Sequence, residues 1–240
     1  MVRTTAPGPA VAQLAGDLFD RRRQDPLAEE LVGWLAGSAR FRAFAEAHRD
    51  KIRKKLRTAA DADALRDVRT ELQAARLLLL DKRFELAFEA YGSGKVGPDL
   101  TVTFRGGRGF NLEVTRLRRV PDATGLGGPL LAKLRQLPPS SPNAVLVAIG
   151  GNAAEALDVA EATKALRSRA DAKDETFFAR RGFDGTREFY ERYLRLSAVF
   201  VWCEDAAGDA RATLWINRSA SIPLPEQDAR ASVRCLRQDS

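Results

Sequence analysis

Imidazole is almost absent from this chain: His48 is the only histidine in 240 residues. A zinc site built on histidines, an HNH-type nuclease with its paired histidines, and the Ser-His-Asp and Cys-His hydrolases cannot be assembled from one histidine in a charged helical stretch, so these classes fall away together. Cysteine is nearly as scarce. Cys203, inside an expected strand, and Cys235, near the C-terminus, form neither a disulfide framework nor a metal spacing, which fits a reducing, cytoplasmic setting. Long apolar runs are missing too. The strongest, LLLL at 77–80 and AVLVAI at 144–149, fall well short of the roughly 20 residues that cross a bilayer, so no membrane is expected. The first residues lack a signal-peptide core, because Asp17, Asp20, Arg21, Arg22 and Arg23 interrupt the only candidate segment. The glycines at 125–128 do not lead into Gly-Lys-Ser/Thr and therefore form no phosphate loop.

What is present is an ordinary globular composition, with 45% hydrophobic residues, and enough length for one large domain or a domain with a helical extension. Basic residues outnumber acidic ones by 39 to 32, a net charge of +7. That excess favours an anionic partner such as nucleic acid. Only eight of the basic residues are lysines, so compositional bias toward arginine is the competing account.

Along the chain, residues 1–10 read as a disordered lead, followed by helices. Asp25, Pro26 and Gly37 bracket one helix in the Pro-in, Gly-out manner. Ser38 caps a second, expected to run unbroken through residues 41–57, with Phe41, Phe44, Ile52 and Leu56 as its apolar stripe. Lys51, Lys54 and Lys55 cluster there, as a solvated face or as phosphate contacts. A third helix spans about 62–81, with Glu71 beside its core stripe and Asp67 one turn earlier, a repulsive pair unless a cation lies near. The stretch FELAFEAY, which includes Glu85 and Glu89, suits a first strand, though alternation alone does not separate helix from strand there. A helix over 130–137 ends at Pro138 and Pro139. Residues 144–150 read as a strand buried on both faces. Two more helices and a final strand pair follow, between which Phe177, Phe178, Arg180, Arg181 and Phe183 suit core packing or base stacking.

The most informative stretch is 97–117, GPDLTVTFRGGRGFNLEVTRL, which reads as a hairpin with an acid on each arm. Alternation places Asp99, Thr101 and Thr103 opposite Leu100, Val102 and Phe104. Gly106, Gly107 and Gly109 mark the reversal. Phe110, Leu112 and Val114 then alternate with Asn111, Glu113 and Thr115. A carboxylate in an apolar strand is costly to bury unless paired or bound to metal, and two on neighbouring strands point to a site.

Pro98-Asp99, Glu113-Val114-Thr115, and Glu71 on the preceding helix resemble the PD-(D/E)xK nuclease superfamily, in the order helix, strand, hairpin, helix, strand. Thr115 stands where that family carries lysine. The resemblance implies an α/β fold of the restriction-endonuclease-like type, a central mixed sheet flanked by helices. Its expected divisions are an N-terminal helical region over 1–60, a core over 61–220 and a tail over 221–240. It implies Mg2+ or Mn2+ held by Asp99, Glu113, Glu71 and the backbone carbonyl of Val114, a hard oxygen set suited to those ions. In such a family a lysine on the helix after the hairpin can replace the missing one, which singles out Lys133, with Gln136 on the same face. The implied catalytic group is then Glu71, Asp99, Glu113, Thr115, Lys133 and Gln136. Expected nucleic-acid contacts are Lys51, Lys54, Lys55, Arg116, Arg118 and Arg119, although Arg116 alternates to the face opposite Glu113.

The expected function is metal-dependent hydrolysis of nucleic-acid phosphodiesters, DNA ahead of RNA, with a homodimer left open. Two alternatives stand beside it: a nuclease-like domain that binds nucleic acid or a protein partner without cutting, and an unrelated α/β domain whose acids are structural.

Overall fold

Residues 143–150 and 196–204 are apolar at nearly every position, which suits strands covered on both faces. In the computed structural model, which describes residues 8–19, 26–90, 97–118, 126–150, 157–204 and 210–237, they form the interior of a six-stranded mixed sheet flanked by helices. β1 (Phe84–Phe88), β2 (Leu100–Phe104) and β3 (Phe110–Leu117) make an antiparallel meander. β4 (Asn143–Gly150) and β5 (Leu196–Glu204) continue it in parallel, and β6 (Ala210–Ile216) returns antiparallel to β5. Sequence order is also spatial order.

Parallel neighbours need crossovers, and helices supply them. α6 (Gly127–Leu134) lies between β3 and β4; α7 (Val159–Asp171), α8 (Glu175–Ala179) and α9 (Thr186–Tyr193) lie between β4 and β5. These pack with Val145, Val147, Val199 and Val201 on one face of the sheet. The other face, including Leu112, Val114, Leu146 and Phe200, is covered by α5 (Ala62–Leu79) and α10 (Glu226–Leu236). Asp61 starts α5 by accepting from the Ala64 N–H at 2.7 Å. α1 (Pro9–Leu18), α2 (Pro26–Gly37), α3 (Ala39–Ala47) and α4 (Arg49–Thr58) share this second core, where Phe41, Ile52 and Phe88 are fully buried. Arg69 on α5 ties α2 to the sheet by binding Glu30 at 2.6 and 2.7 Å and Glu204 at 3.3 Å.

Two local expectations change, and one left open is settled. The helix read as continuous over 41–57 breaks at His48, which ends α3 and begins α4. His48 is half-buried against Phe44, ring centroids 4.9 Å apart, and burial lowers its pKa. FELAF is a strand, not a helix. Residues 226–236, within the stretch read as a tail, form α10, which buries Ala229, Ala231, Val233 and Leu236 and packs against β6, β5 and α5. Its helical spacing is in the sequence, and only the neighbouring prolines disguised it. Among the described residues, no helix is long and apolar enough to cross a membrane.

Candidate active site at the fork of β2 and β3

β2 pairs with β3 only from Leu100 opposite Leu112 to Val102 opposite Phe110, whereas β3 runs on to Leu117 against β4. The hairpin is closed by Gly107 N–H donating to Phe104 O at 3.0 Å, with Arg105 and Gly106 at φ 52° and 66°, the primed-turn geometry that matches strand twist. Beyond Leu112 the outer edge of β3 has lost its partner strand, and a buried N–H needs an acceptor. Asp99 supplies one: its Oδ2 accepts the Val114 N–H at 2.8 Å. On the other side, Asp99 O accepts the Glu89 N–H at 3.0 Å. Continuing the strand registers sets Glu89, Asp99 and Glu113 abreast across three strands.

Two ammonium groups, arriving from opposite faces of the sheet, tie these acids together. Lys55 on α4 donates to Glu71 Oε2 and, at 3.0 Å, to Asp99 Oδ1; Glu89 Oε1 is 3.5 Å away. Lys133 on α6 donates to Glu113 Oε2 at 2.8 Å, has Asp99 Oδ2 at 3.7 Å, and reaches Gln136 Oε1 at 3.3 Å. Asp99 therefore divides its oxygens, one to each lysine. Glu113 Oε1 is buried without a hydrogen-bond partner.

Burial, reinforced by the Asp99 charge, pushes Glu71 up to about 8 and Glu113 up to about 6, against the opposing pull of Lys55 and Lys133. Burial disfavours the charged lysines, but the surrounding carboxylates outweigh it and raise both.

The structure thus gathers Glu71, Asp99, Glu113, Lys133 and Gln136, and adds Lys55, which the sequence placed among phosphate contacts. Val114 joins through its N–H. Thr115 is half-buried on β3 beside Val147 of β4, and the ammonium groups near the acids come from helices. Lys51 does not face outward: it donates to the carbonyls of Phe88 and Glu89 at 3.0 and 2.8 Å. Lys54 is exposed. Arg116 binds Asp67 and Asp63, each at 2.9 Å, which supplies the cation that relieves the Asp67–Glu71 repulsion on α5. Arg118 is more exposed, 3.6 Å from Asp63. Arg119 lies outside the described residues. Sequence reasoning left Glu89 without a role. The i, i+4 spacing of Lys51 and Lys55, flanked by buried Ile52 and Leu56, was the signal that both turn inward.

Phe178 and Phe183 are core residues, and Phe177 is flanked by the guanidinium groups of Arg169 and Arg181, 4.4 and 3.7 Å from its ring centroid.

The donor set is all hard oxygen, and the unpartnered Glu113 Oε1 is the kind of atom a bound ion would satisfy. Among the described residues no group of three or more His, Cys, Asp or Glu side chains is arranged to hold an ion. Magnesium and manganese need fewer protein ligands than that, taking one or two carboxylates and filling the remainder with water and substrate oxygens. Compared with known proteins, the chain matches no family model, no curated protein and no solved structure.

Proposed function

We propose that this protein is a metal-dependent phosphodiesterase acting on nucleic acid, DNA ahead of RNA, with a restriction-endonuclease-like core of the PD-(D/E)xK type. One observation carries the reading: Asp99, Glu113 and Lys133 meet where β2 leaves β3, and a buried oxygen of Glu113 has no partner. Asp99 and Glu113, backed by Glu71, are the residues that would hold magnesium or manganese. A divalent ion bound there supplies a water of lowered pKa and neutralises charge on the phosphate.

The remaining roles belong to the chain. Val114 N–H fixes the Asp99 carboxylate, so its orientation does not have to be organised when substrate arrives. Lys133 brings the positive charge that Thr115 lacks, and Gln136 steadies its ammonium. Exposed Lys54 and Arg118 are the candidates for phosphate contacts, whereas Lys51 and Arg116 hold protein groups.

A second reading, binding without cleavage, draws on a separate observation. Both ammonium groups in the cluster are engaged by its own carboxylates, and Thr115 adds no charge.

The test is calorimetric titration of manganese(II) into wild type and Asp99→Ala, run beside cleavage assays on plasmid DNA. Heat of binding that disappears in the variant, with manganese-dependent cutting by wild type, is the expected result. Binding without cutting selects the second reading. Neither binding nor cutting leaves the acids as structural groups.

A further inference from the structure

An open sheet has two edge strands, and each leaves alternate backbone groups without a strand partner; here they are β1 and β6. On β1, Glu89 N–H donates to Asp99 O at 3.0 Å and Arg105 N–H to Arg83 O at 2.8 Å. These bonds fix the alternation, so Glu85 and Ala87 face β2 while Phe84, Leu86 and Phe88 turn their backbone groups outward. Side chains from α3 and α4 meet all three outward positions. Arg40 donates to Phe84 O, His48 bonds the Leu86 backbone, and Lys51 donates to Phe88 O at 3.0 Å. A further strand could add to β1 only by stripping this row.

The opposite edge differs. Asn217 N–H donates to Ser197 O at 2.9 Å, so in the observed register Arg211, Thr213 and Trp215 face β5, and Ala210, Ala212, Leu214 and Ile216 turn outward. Arg237 takes Ala212 O at 2.9 Å, as that alternation requires. Among the described residues no side chain caps the backbone of Leu214 or Ile216. Leu214, Trp215 and Ile216 are also only half-buried, whereas β5 beside them is buried up to its last residue.

We propose that β6 is a dimer edge, at which two copies of this chain pair β6 with β6 antiparallel about a twofold at Trp215 and join their sheets into one. The spacing of the open positions selects this occupant and this register. Leu214 then lies opposite Ile216 of the second copy, so each uncapped N–H meets an uncapped C=O, and the pair packs side by side on one face. Trp215 meets its own counterpart on the other face as a non-hydrogen-bonded pair, the closer kind. Moving the twofold to Leu214 would instead demand Ala212 O, which Arg237 holds. The charges agree with the choice: Arg218 comes opposite Ala212 and Arg211 opposite Ser219, so no arginine faces another. Nothing in this proposal depends on the functional reading above.

The test reads mass first and register second. Sedimentation of the full-length protein in reducing buffer should show a species of twice the 26.4 kDa of one chain, populated more as concentration rises. Ile216→Pro removes an outward N–H and spares the bonds to β5, so it should be monomeric with a melting temperature close to that of monomeric wild type. The register is read by cysteines placed in a Cys235→Ser background, which removes the half-buried native thiol. Trp215→Cys should form a disulfide-linked dimer on mild oxidation, because a residue on the twofold lies within bridging distance of its counterpart. Thr213→Cys, on the same face but off the axis, should not. Wild type that stays monomeric at every concentration overturns the proposal and leaves this edge to a strand of another protein. So does a dimer that persists in folded Ile216→Pro, or one in which Thr213→Cys crosslinks as readily as Trp215→Cys. Should Ile216→Pro fail to fold, the two cysteine variants decide alone.

Discussion

Asp99 Oδ2 accepts the Val114 N–H at 2.8 Å, so a side chain takes the hydrogen bond that a longer β2 would have taken. The cap and the candidate metal ligand are the same carboxylate, and substitution can separate the two roles. Asp99→Ala should leave a buried N–H unpaired at a cost of about 1–3 kcal/mol. Asp99→Asn can still accept that N–H through its amide oxygen, while its NH2 group opposes the ammonium of Lys55 or Lys133. We expect chemical denaturation to place Asp99→Asn between wild type and Asp99→Ala, and calorimetry to find manganese binding lost in both. Equal stability of all three proteins would remove the cap from the account.

Lys133 and Thr115 make a second separable pair. Lys133→Ala strips the partner from Glu113, and breaking a buried pair in this way costs roughly 3–5 kcal/mol where the carboxylate stays charged. Any manganese-dependent cleavage should disappear with it. Thr115 shares the strand face of Glu113, so adding Thr115→Lys should restore part of both stability and cleavage. Thr115→Lys alone should be tolerated or activating. If wild type is inert and Thr115→Lys acquires metal-dependent cutting, the chain is a nuclease fold that lost catalysis at this position.

Much of this architecture was legible in the sequence, and the limits have physical causes. Strict alternation through Asp99–Phe104 and Phe110–Thr115 marked the hairpin, and unbroken burial marked β4. Asp99 and Glu113 were singled out by strand alternation, a local property, whereas Glu71, Lys133 and Gln136 were joined to them only by the resemblance to the PD-(D/E)xK superfamily. The spacing of Lys55 showed that it turns inward but not what it meets: which carboxylates receive it depends on the elements that pack against α4, here α5, the end of β1 and the start of β2. Glu89 was hidden for a related reason, since its left-handed backbone follows the end of β1 and breaks the alternation that would have flagged it. The restriction-endonuclease-like subtype rests on motif and site alone; the sheet establishes the broader α/β class.

The basic residues divide by what they touch, and DNA binding should divide with them. Each phosphate contact removed lowers the slope of log affinity against log salt by about 0.9 for duplex DNA. Lys54→Ala and Arg118→Ala should each do so with little effect on stability. Lys51→Ala should instead destabilise the fold, because the Phe88 and Glu89 carbonyls lose their donor, and Arg116→Ala should do the same through Asp63 and Asp67. Shift assays across a salt series, with melting curves for each variant, distinguish these outcomes. Binding that ignores salt, or no binding at low salt, would leave the net charge of +7 as compositional bias.

The carboxyls give the centre a pH dependence whose sign is opposite to that of an ordinary salt bridge. Glu71 rises from 4.5 to about 8 and Glu113 from 4.5 to about 6 on folding, so both bind protons more tightly in the folded chain. Groups of this kind contribute stability that is fully present below their unfolded value and is lost as pH rises through the folded one. The groups facing them are Lys55 from α4, Asp99 from the start of β2 and Lys133 from α6, and both lysines keep their charge across this window. Ion-free protein should therefore lose stability first between about pH 4.5 and 6, where both groups titrate, and then up to about pH 8 through Glu71 alone. Every tenfold gain in a carboxyl's proton affinity on folding is worth roughly 1.4 kcal/mol at most. Glu71→Gln should flatten the upper part of that decline and leave in the lower part only the share that belongs to Glu113. Urea denaturation of wild type and Glu71→Gln at intervals from pH 5 to 8.5 measures this directly. A wild-type midpoint that climbs with pH over that range would mean that the lysines win, that both carboxylates are ionised from acid pH upward, and that the cluster is an ordinary pair of salt bridges.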